Sequence, residues 1–394
     1  MTTAAVRRRH ASLADGRSVY LYDERAQPLP VSPDARCLSP GDRRAELRWD
    51  PTLAEWVVVA PHRAVRPKTS DHTGCPLCPS TPTVPSEIPC ADYDVVVFEN
   101  RFPALSGRFS AGAAEAAQPT RPAAGRCEVV VFSSAHDLSL ARLSTRRVRT
   151  VIEAWVDRTK CLNAVAGVEQ VVCFENRGTQ IGATLTHPHG QIYAYPFIPA
   201  RFERMLLVAR GARDRGDRCV HCQLVESELQ SAERVIGVTR HWIAFVPPAA
   251  RWPYEARLYA RRHVPDLAAL DADELDDLAE AYRSLLRRFE TVATAPLPYM
   301  ALWVQAAAGE SRDLTHLHAQ VFSDRSATGV KRLAAGELGA GAWVTEVCPE
   351  AMAERLRGAP PAHGHDSSAS DVVRGRNAAL SISPCQPGQP PQIP

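Results

Sequence analysis

Residues 184–195 read TLTHPHGQIYAY. Two histidines, His187 and His189, flank a single proline, and a Gly-Gln pair, Gly190 and Gln191, follows. Ile192, Tyr193 and Tyr195 give the rest of the segment the character of a strand. On a strand, residues i and i+2 share a face, so one rigid element is expected to hold both imidazoles. If a metal takes His187, His189 is left as an oriented, neutral imidazole, which is a good nucleophile or base near neutral pH. A further metal ligand and a core histidine held by hydrogen bonds are the competing readings, and this segment alone leaves them open.

The pattern returns in the second half of the chain as His316-Leu317-His318. A C-x-x-C pair lies upstream of each H-x-H: Cys75/Cys78 and Cys219/Cys222. Between pair and motif stands one further histidine, His136 or His263, eight residues after a glutamate, Glu128 or Glu255, that opens a strand. The intervals from that histidine to the H-x-H are nearly equal in the two halves. Four features in one order indicate an internal duplication. They predict an α+β fold of two related halves, each an antiparallel sheet with packed helices.

Length agrees, since 394 residues are too many for one small core. Hydrophobic content of 45% and charged content of 23% are ordinary for a globular chain. A net charge of +2 gives no bulk electrostatic case for nucleic acid or an anionic membrane surface. No apolar run approaches the roughly 18 residues of a membrane span. The opening MTTAAVRRRHASLADG has arginines but no apolar stretch behind them, so it does not read as a secretory signal, and a cytoplasmic location is expected. In that setting the C-x-x-C pairs among the eleven cysteines read as metal or redox sites before they read as bridges. A thioredoxin-like context is absent, which disfavours redox.

Residues 1–45 are Arg- and Pro-rich and are expected to be loosely ordered apart from a short strand. Residues 46–205 form the first half and 206–358 the second. Residues 359–394, rich in Pro, Gly and Ser and carrying His363 and His365, are expected to be a disordered tail. LRWDPTLAEWVVVAPHRAVRP reads as a strand ending in basic residues, and YDVVVFENRFPAL, CEVVVFS and GVEQVVCFENRG read as further strands. Residues 106–126 are small, Pro-bearing and featureless, and read as a mobile loop. LSTRRVRTVIEAWVDRTKCLNAV has helical spacing, with Ser144 as N-cap.

Cys75, Cys78, His136 and His187 make up a Cys₂His₂ set. Two soft thiolates and two imidazoles suit tetrahedral zinc, and four protein ligands leave no position for catalytic water, so the metal would be structural. A tight turn with free thiols is the alternative. Gly190 and Gln191 suit a place where backbone approaches a ligand and an amide can bond phosphate oxygens. Arg63 and Arg66 in PHRAVRP have the forked geometry that matches phosphate. Asn100 and Asn176 end two near-identical F-E-N segments and could bind ribose or phosphate, or only cap turns.

On these residues the chain resembles the galactose-1-phosphate uridylyltransferases, within the histidine triad superfamily, from about residue 45 to 355. The most specific part is the FENRG…IGATL.HPHGQIYAYPF block, supported in order by PHRAVRP, the first C-x-x-C, FENRFPAL and AARWPYE. The resemblance implies two histidine-triad-like halves and a double displacement. His189 would attack the α-phosphorus of UDP-glucose, release glucose 1-phosphate, and pass the uridylyl group to galactose 1-phosphate. It further implies a zinc ion on Cys75, Cys78, His136 and His187, and Gln191 bonded to the phosphate during transfer. Arg63, Arg66, Asn100, Asn176 and Gly182-Ala183-Thr184 would hold the nucleotide. Lys331 and Glu337 match the family's sugar segment, which in its homodimer reaches the neighbouring active site.

The chain departs from the family in places. Thr186 stands where many members have proline. The positions matching an iron site in some members are Met205, Val304, His318 and Gln320, of which three cannot serve, so no iron is expected. Cys219, Cys222, His263 and His316 could hold a second zinc. Two other readings remain: a related nucleotide-sugar or dinucleoside-polyphosphate phosphorylase using the same histidine intermediate, and a zinc-stabilised binding protein without turnover.

Overall fold

The computed structural model describes residues 6–38, 44–66, 74–107, 119–309, 312–324 and 335–359. Lys331 and the expected tail from 360 onward lie outside these residues, as do 1–5 and 108–118.

Eleven strands form one continuous sheet. Its first-half strands are β1 (Arg7–Ser12), β2 (Ser18–Asp23), β5 (Val95–Glu99), β7 (Arg126–Val131), β8 (Gln170–Arg177) and β9 (His189–Tyr195). Its second-half strands are β10 (Val235–Val238), β11 (Trp242–Phe245), β12 (Tyr254–Ala260), β13 (Tyr299–Val304) and β14 (His318–Ser323). The spatial order is β1-β2-β5-β7-β9-β8-β13-β14-β12-β11-β10. Every pairing in this sheet is antiparallel. Read outward from the β8–β13 seam, the order on one side repeats that on the other, with β9 matching β14, β7 matching β12 and β5 matching β11. The duplication is therefore a two-fold arrangement about that seam. The two expected half-sheets share ladder hydrogen bonds from Phe174↔Leu302 to Arg177↔Tyr299.

One of the four repeat features does not carry over. Val131 pairs with His189 and Tyr259 with His318, so the equivalent of Glu255 is Cys127, not Glu128. A one-residue slip reverses the face of a strand side chain. Glu128 accordingly points to the helix side, bound by Arg158 at 2.8 Å through two nitrogens, whereas Glu255 points the other way.

The helices α1 (Thr145–Asn163) and α4 (Ala272–Thr291) pack side by side on one face of the sheet, with α5 (Pro349–Gly358) beside them. Ser144 caps α1 by accepting from the Arg147 amide at 3.2 Å, as its sequence predicts. Asp271 and Glu274 close a reciprocal capping box on α4. Trp155, Trp242, Trp303 and Tyr282 meet edge-on or tilted at the centre of this layer. Removing one such fully buried ring costs about 3–5 kcal/mol in typical cores.

Several expectations are corrected. Residues 1–45 carry two strands, not one, and the β1–β2 hairpin extends the main sheet through β2–β5. The single strand read after residue 46 is a hairpin of β3 (Glu46–Asp50) and β4 (Glu55–Val59), because Pro51 begins a turn in which Ala54 adopts φ 54°. Part of the expected loop 106–126 is a short strand, β6 (Thr120–Pro122), which completes a separate three-stranded sheet with β3 and β4. Helices α2 (Ala200–Asp214) and α3 (Val220–Ser231) follow β9, and the expected boundary after residue 205 falls inside α2.

Candidate active site

The sheet face opposite α1 and α4 carries the site. Alternation along β5, β7, β8 and β9 puts Phe98, Val129, Phe174, Gln191 and Tyr193 on that face, with Asn100, Asn176 and His189 at the strand ends. Together with Arg63, Arg66, Gly182, Ala183 and Thr184 they line a cavity of ≈ 440 Å³. All nine residues expected there from these segments, counting Gln191 and His189 with the arginines, asparagines and the Gly182–Thr184 run, are present. A second cavity, of ≈ 290 Å³, is lined by Glu175, Arg177, Gln180 and Pro296–Pro298 among others. Asn176, Ala183, Leu185 and His189 line both, so His189 stands in the wall between them.

His187 does not lie on the strand as expected. It precedes β9 in a bend, and its ring turns into the neighbouring cysteine cluster. His189, which opens β9, has its Nδ1 2.7 Å from the His187 carbonyl oxygen. A carbonyl only accepts, so Nδ1 carries the proton and Nε2 presents a lone pair. Burial lowers the His189 pKa from its ordinary value of 6.5, partly opposed by that hydrogen bond, so the neutral form is favoured. Gly190 is required by close approach: a Cβ there would sit 2.8 Å from the Phe132 ring and 2.9 Å from the Phe174 carbonyl oxygen.

Tyr193 donates its hydroxyl to Gln191 Oε1 at 3.2 Å, which leaves the Gln191 amide N–H groups to face the cavity. The Asn100 side chain accepts from the Phe102 amide at 2.8 Å, so it does cap a turn, and its own NH₂ remains for a ligand. Arg63 is anchored to the Phe102 carbonyl oxygen at 2.5 Å. Gly182, at φ 88°, closes the short 3-10 turn before Ala183 and Thr184, a conformation that favours glycine.

The four expected metal ligands converge. Cys78 Sγ lies 3.4 Å from His136 Nδ1 and 3.5 Å from His187 Nδ1, and Cys75 Sγ lies 3.8 Å from His187 Nδ1. The remaining nitrogens are held from behind: His187 Nε2 on the Ser133 carbonyl oxygen at 2.8 Å, His136 Nε2 on Thr186 Oγ1 at 3.0 Å. Such outer bonds fix which nitrogen faces a metal. Burial and the adjacent Cys75 raise the Cys78 pKa, and a cation between the two sulfurs would offset both effects and favour the thiolates. The second set, Cys219, Cys222, His263 and His316, converges in the same way, with Cys222 Sγ 3.4 Å and 3.6 Å from the two Nδ1 atoms. Both sets can hold a metal ion.

Glu337 lies in a π-helical turn, Ala335–Gly339, and is not among the residues lining either cavity. Of the residues matched to an iron site, Met205 and Val304 join an apolar cluster, and Gln320 Nε2 lies 3.1 Å from His318 Nε2. Sequence reading missed Leu77, Phe98, Val129 and Phe174 as the apolar walls of the larger cavity, although strand alternation from Asn100 and Asn176 points to Phe98 and Phe174. It also missed Glu175, a fully buried carboxyl in the smaller cavity whose pKa burial raises to about 7.

Residues 38–199 match the galactose-1-phosphate uridyl transferase N-terminal domain and residues 212–368 its C-terminal domain. The chain is 43% identical over 305 residues to the galactose-1-phosphate uridylyltransferase of Streptomyces lividans, covering 76% of this chain and 80% of that protein. It is 35% identical over 318 residues to that of Thermotoga maritima, covering 79% and 98%. A solved uridylyltransferase structure superposes with a TM-score of 0.72 at 32% identity, covering 80% of this chain and 98% of the other. The chain belongs to the galactose-1-phosphate uridylyltransferase family.

Proposed function

We propose that the protein moves a uridylyl group from UDP-glucose to galactose 1-phosphate by a ping-pong route through His189. The observation that carries this reading is that His189 lines both cavities while its Nδ1 is held on the His187 carbonyl oxygen, which leaves the Nε2 lone pair for the phosphorus. The larger cavity has apolar walls for a base and amide and guanidinium donors for ribose and phosphate. The smaller one has Asp137, Arg177, Thr179 and Gln180 in its lining, side chains that can bond the hydroxyls of a hexose. In the first step the Nε2 lone pair forms a bond to the α-phosphorus, and the bond from that phosphorus to the glucose 1-phosphate oxygen breaks. In the second step a phosphate oxygen of galactose 1-phosphate attacks the same phosphorus, and His189 leaves as neutral imidazole. Transfer of this kind depends on in-line positioning and charge stabilisation, which Gln191 and Arg63 are placed to supply.

Zinc is the ion we propose for the first cluster. A tetrahedral ion with bonds of about 2.3 Å to sulfur and about 2.0 Å to nitrogen needs S···N separations of about 3.5 Å, and those of Cys75 and Cys78 run from 3.4 to 3.8 Å. The second cluster meets the same criterion, and we propose zinc there as well. These ions would fix the turns around His187 and His316, and neither has a place in the transfer itself. We further propose that Lys331 and Glu337 complete the sugar side of a second copy's site in a homodimer. No described helix is long and apolar enough to cross a membrane.

The test is exchange in the absence of acceptor. Labelled glucose 1-phosphate should enter UDP-glucose with no galactose 1-phosphate present, and initial-rate plots should be parallel. Exchange that requires both sugar phosphates together would contradict a covalent intermediate.

A further inference from the structure

The sheet face of the second half that corresponds to the nucleotide cavity carries an arginine where the first half has a valine, and two further arginines lie beside it. Register places Arg257 opposite Gln320, where the first half has Val129 opposite Gln191. Arg201, from the first turn of α2, reaches the same place and donates to Gln320 Oε1 at 2.9 Å. Arg251, just before β12, lies near enough to act on Arg201 together with Arg257.

Among the described residues, one carboxylate is shown acting on these three guanidiniums. The carboxylate among them is Glu255, 3.6 Å from Arg257 and already accepting the Arg251 backbone amide at 2.7 Å. Arg257 Nε is buried without a hydrogen-bond partner. The Arg251 side chain lies over the Trp343 ring at 5.8 Å rather than on an acid. Burial, with the two neighbouring arginines, lowers the Arg201 pKa despite Glu255. Half-buried charge of one sign is unfavourable without a counter-charge, so a surplus of two positive charges among the described residues favours an anion.

We infer that Arg201, Arg251 and Arg257 form a second anion site, for a phosphate monoester or inorganic phosphate, distinct from the cavity at His189. A phosphate dianion matches the surplus of two, and guanidinium forks from three separate elements suit its several oxygens. Gln320, already fixed between Arg201 and His318, holds Arg201 in place for the ligand. No covalent step is involved, and the inference does not depend on which sugar phosphate the His189 site accepts.

The test is equilibrium dialysis of the metal-loaded full chain against radiolabelled inorganic phosphate and, separately, glucose 1-phosphate. One phosphate site should survive Arg63→Gln, which disables the nucleotide cavity, and should weaken at least tenfold in Arg257→Gln. Arg251→Gln, at a less buried position, should show the same loss and covers the case in which Arg257→Gln fails to fold. Equal affinity for both ligands would mean that the site reads the phosphoryl group alone, and preference for glucose 1-phosphate that it reads the sugar too. Binding that disappears in Arg63→Gln and persists in the Arg251 and Arg257 variants would overturn the inference. So would an absence of phosphate binding together with a change of oligomeric state in those variants, which would identify the counter-charge as a carboxylate of a second copy.

Discussion

The two halves of the sheet place H-x-H-x-Q at equivalent points, His187-Pro-His189-Gly-Gln191 on entry to β9 and His316-Leu-His318-Ala-Gln320 on entry to β14. In each, the second histidine directs Nδ1 to the carbonyl oxygen of the first, at 2.7 and 2.8 Å. The backbone device is thus the same, and the difference lies in what covers the ring. His189 pairs across the sheet with Val131 and lines both cavities. His318 pairs with Tyr259, whose ring stacks on it at 4.2 Å, and its Nε2 meets Gln320 at 3.1 Å. Helix α3 then packs on the face beyond, Val225 joining Tyr259 and the β11 residues Ile243 and Phe245 in one apolar cluster. A histidine-bearing turn is therefore not sufficient for a site. The neighbouring strand contributes to the difference: Val131 leaves the His189 ring beside the cavities, whereas Tyr259, with His221 of α3, covers the His318 ring.

Substitutions can break or sharpen this contrast. The largest effect is expected from His189→Gly, which should lower uridylyl transfer by about 10⁴-fold or more while metal content stays the same. His318→Gly should destabilise the fold yet retain transfer. Equal losses in both would erase the distinction. Next comes Cys75→Ser, which should release its metal and lower stability by several kcal/mol. Metal analysis with thermal unfolding checks this, and unchanged metal content would place the ion elsewhere.

Importing the second half's residue, as Val129→Arg, should raise KM for UDP-glucose at least about tenfold, since a long guanidinium would occupy the apolar wall, with metal content unaffected. Gln191→Ala should reduce kcat by about 10²–10³-fold, the size of losing one oriented donor at a developing charge. Gln320→Ala should leave kcat near its starting value. The smallest effect is Ser144→Ala, where loss of the α1 cap should cost about 1 kcal/mol, read from denaturant unfolding.

Much of this was legible before any coordinates. The metal sets could be read because Cys and His in repeated order have few other uses, and α1 because Ser144 and its apolar spacing agree. The larger cavity could be read where a side chain was unusual for its place, as with Asn100 and Arg63. What stayed hidden depends on tertiary context. Strand alternation shows that Glu128 and Val130 share a face of their strand, but not whether that face meets helix or ligand. The β3–β4 hairpin was hidden because apolar residues on both sides of Pro51 read as one run. The expectation that His187 and His189 share a strand face failed for a local reason: Pro188 lacks an amide donor, and the strand begins only after it. The β8–β13 seam, which joins the halves, has no signature in sequence, since pairing between distant strands is written in neither segment alone.

The central claim, that His189 alone of the two equivalent histidines does the chemistry, is tested most directly by intact mass after mixing with UDP-glucose and no acceptor. A gain of one uridylyl group per chain, mapped to His189 and absent in His189→Gly, is the predicted result. An adduct on His318, or none under conditions where UDP-glucose binds, would contradict it.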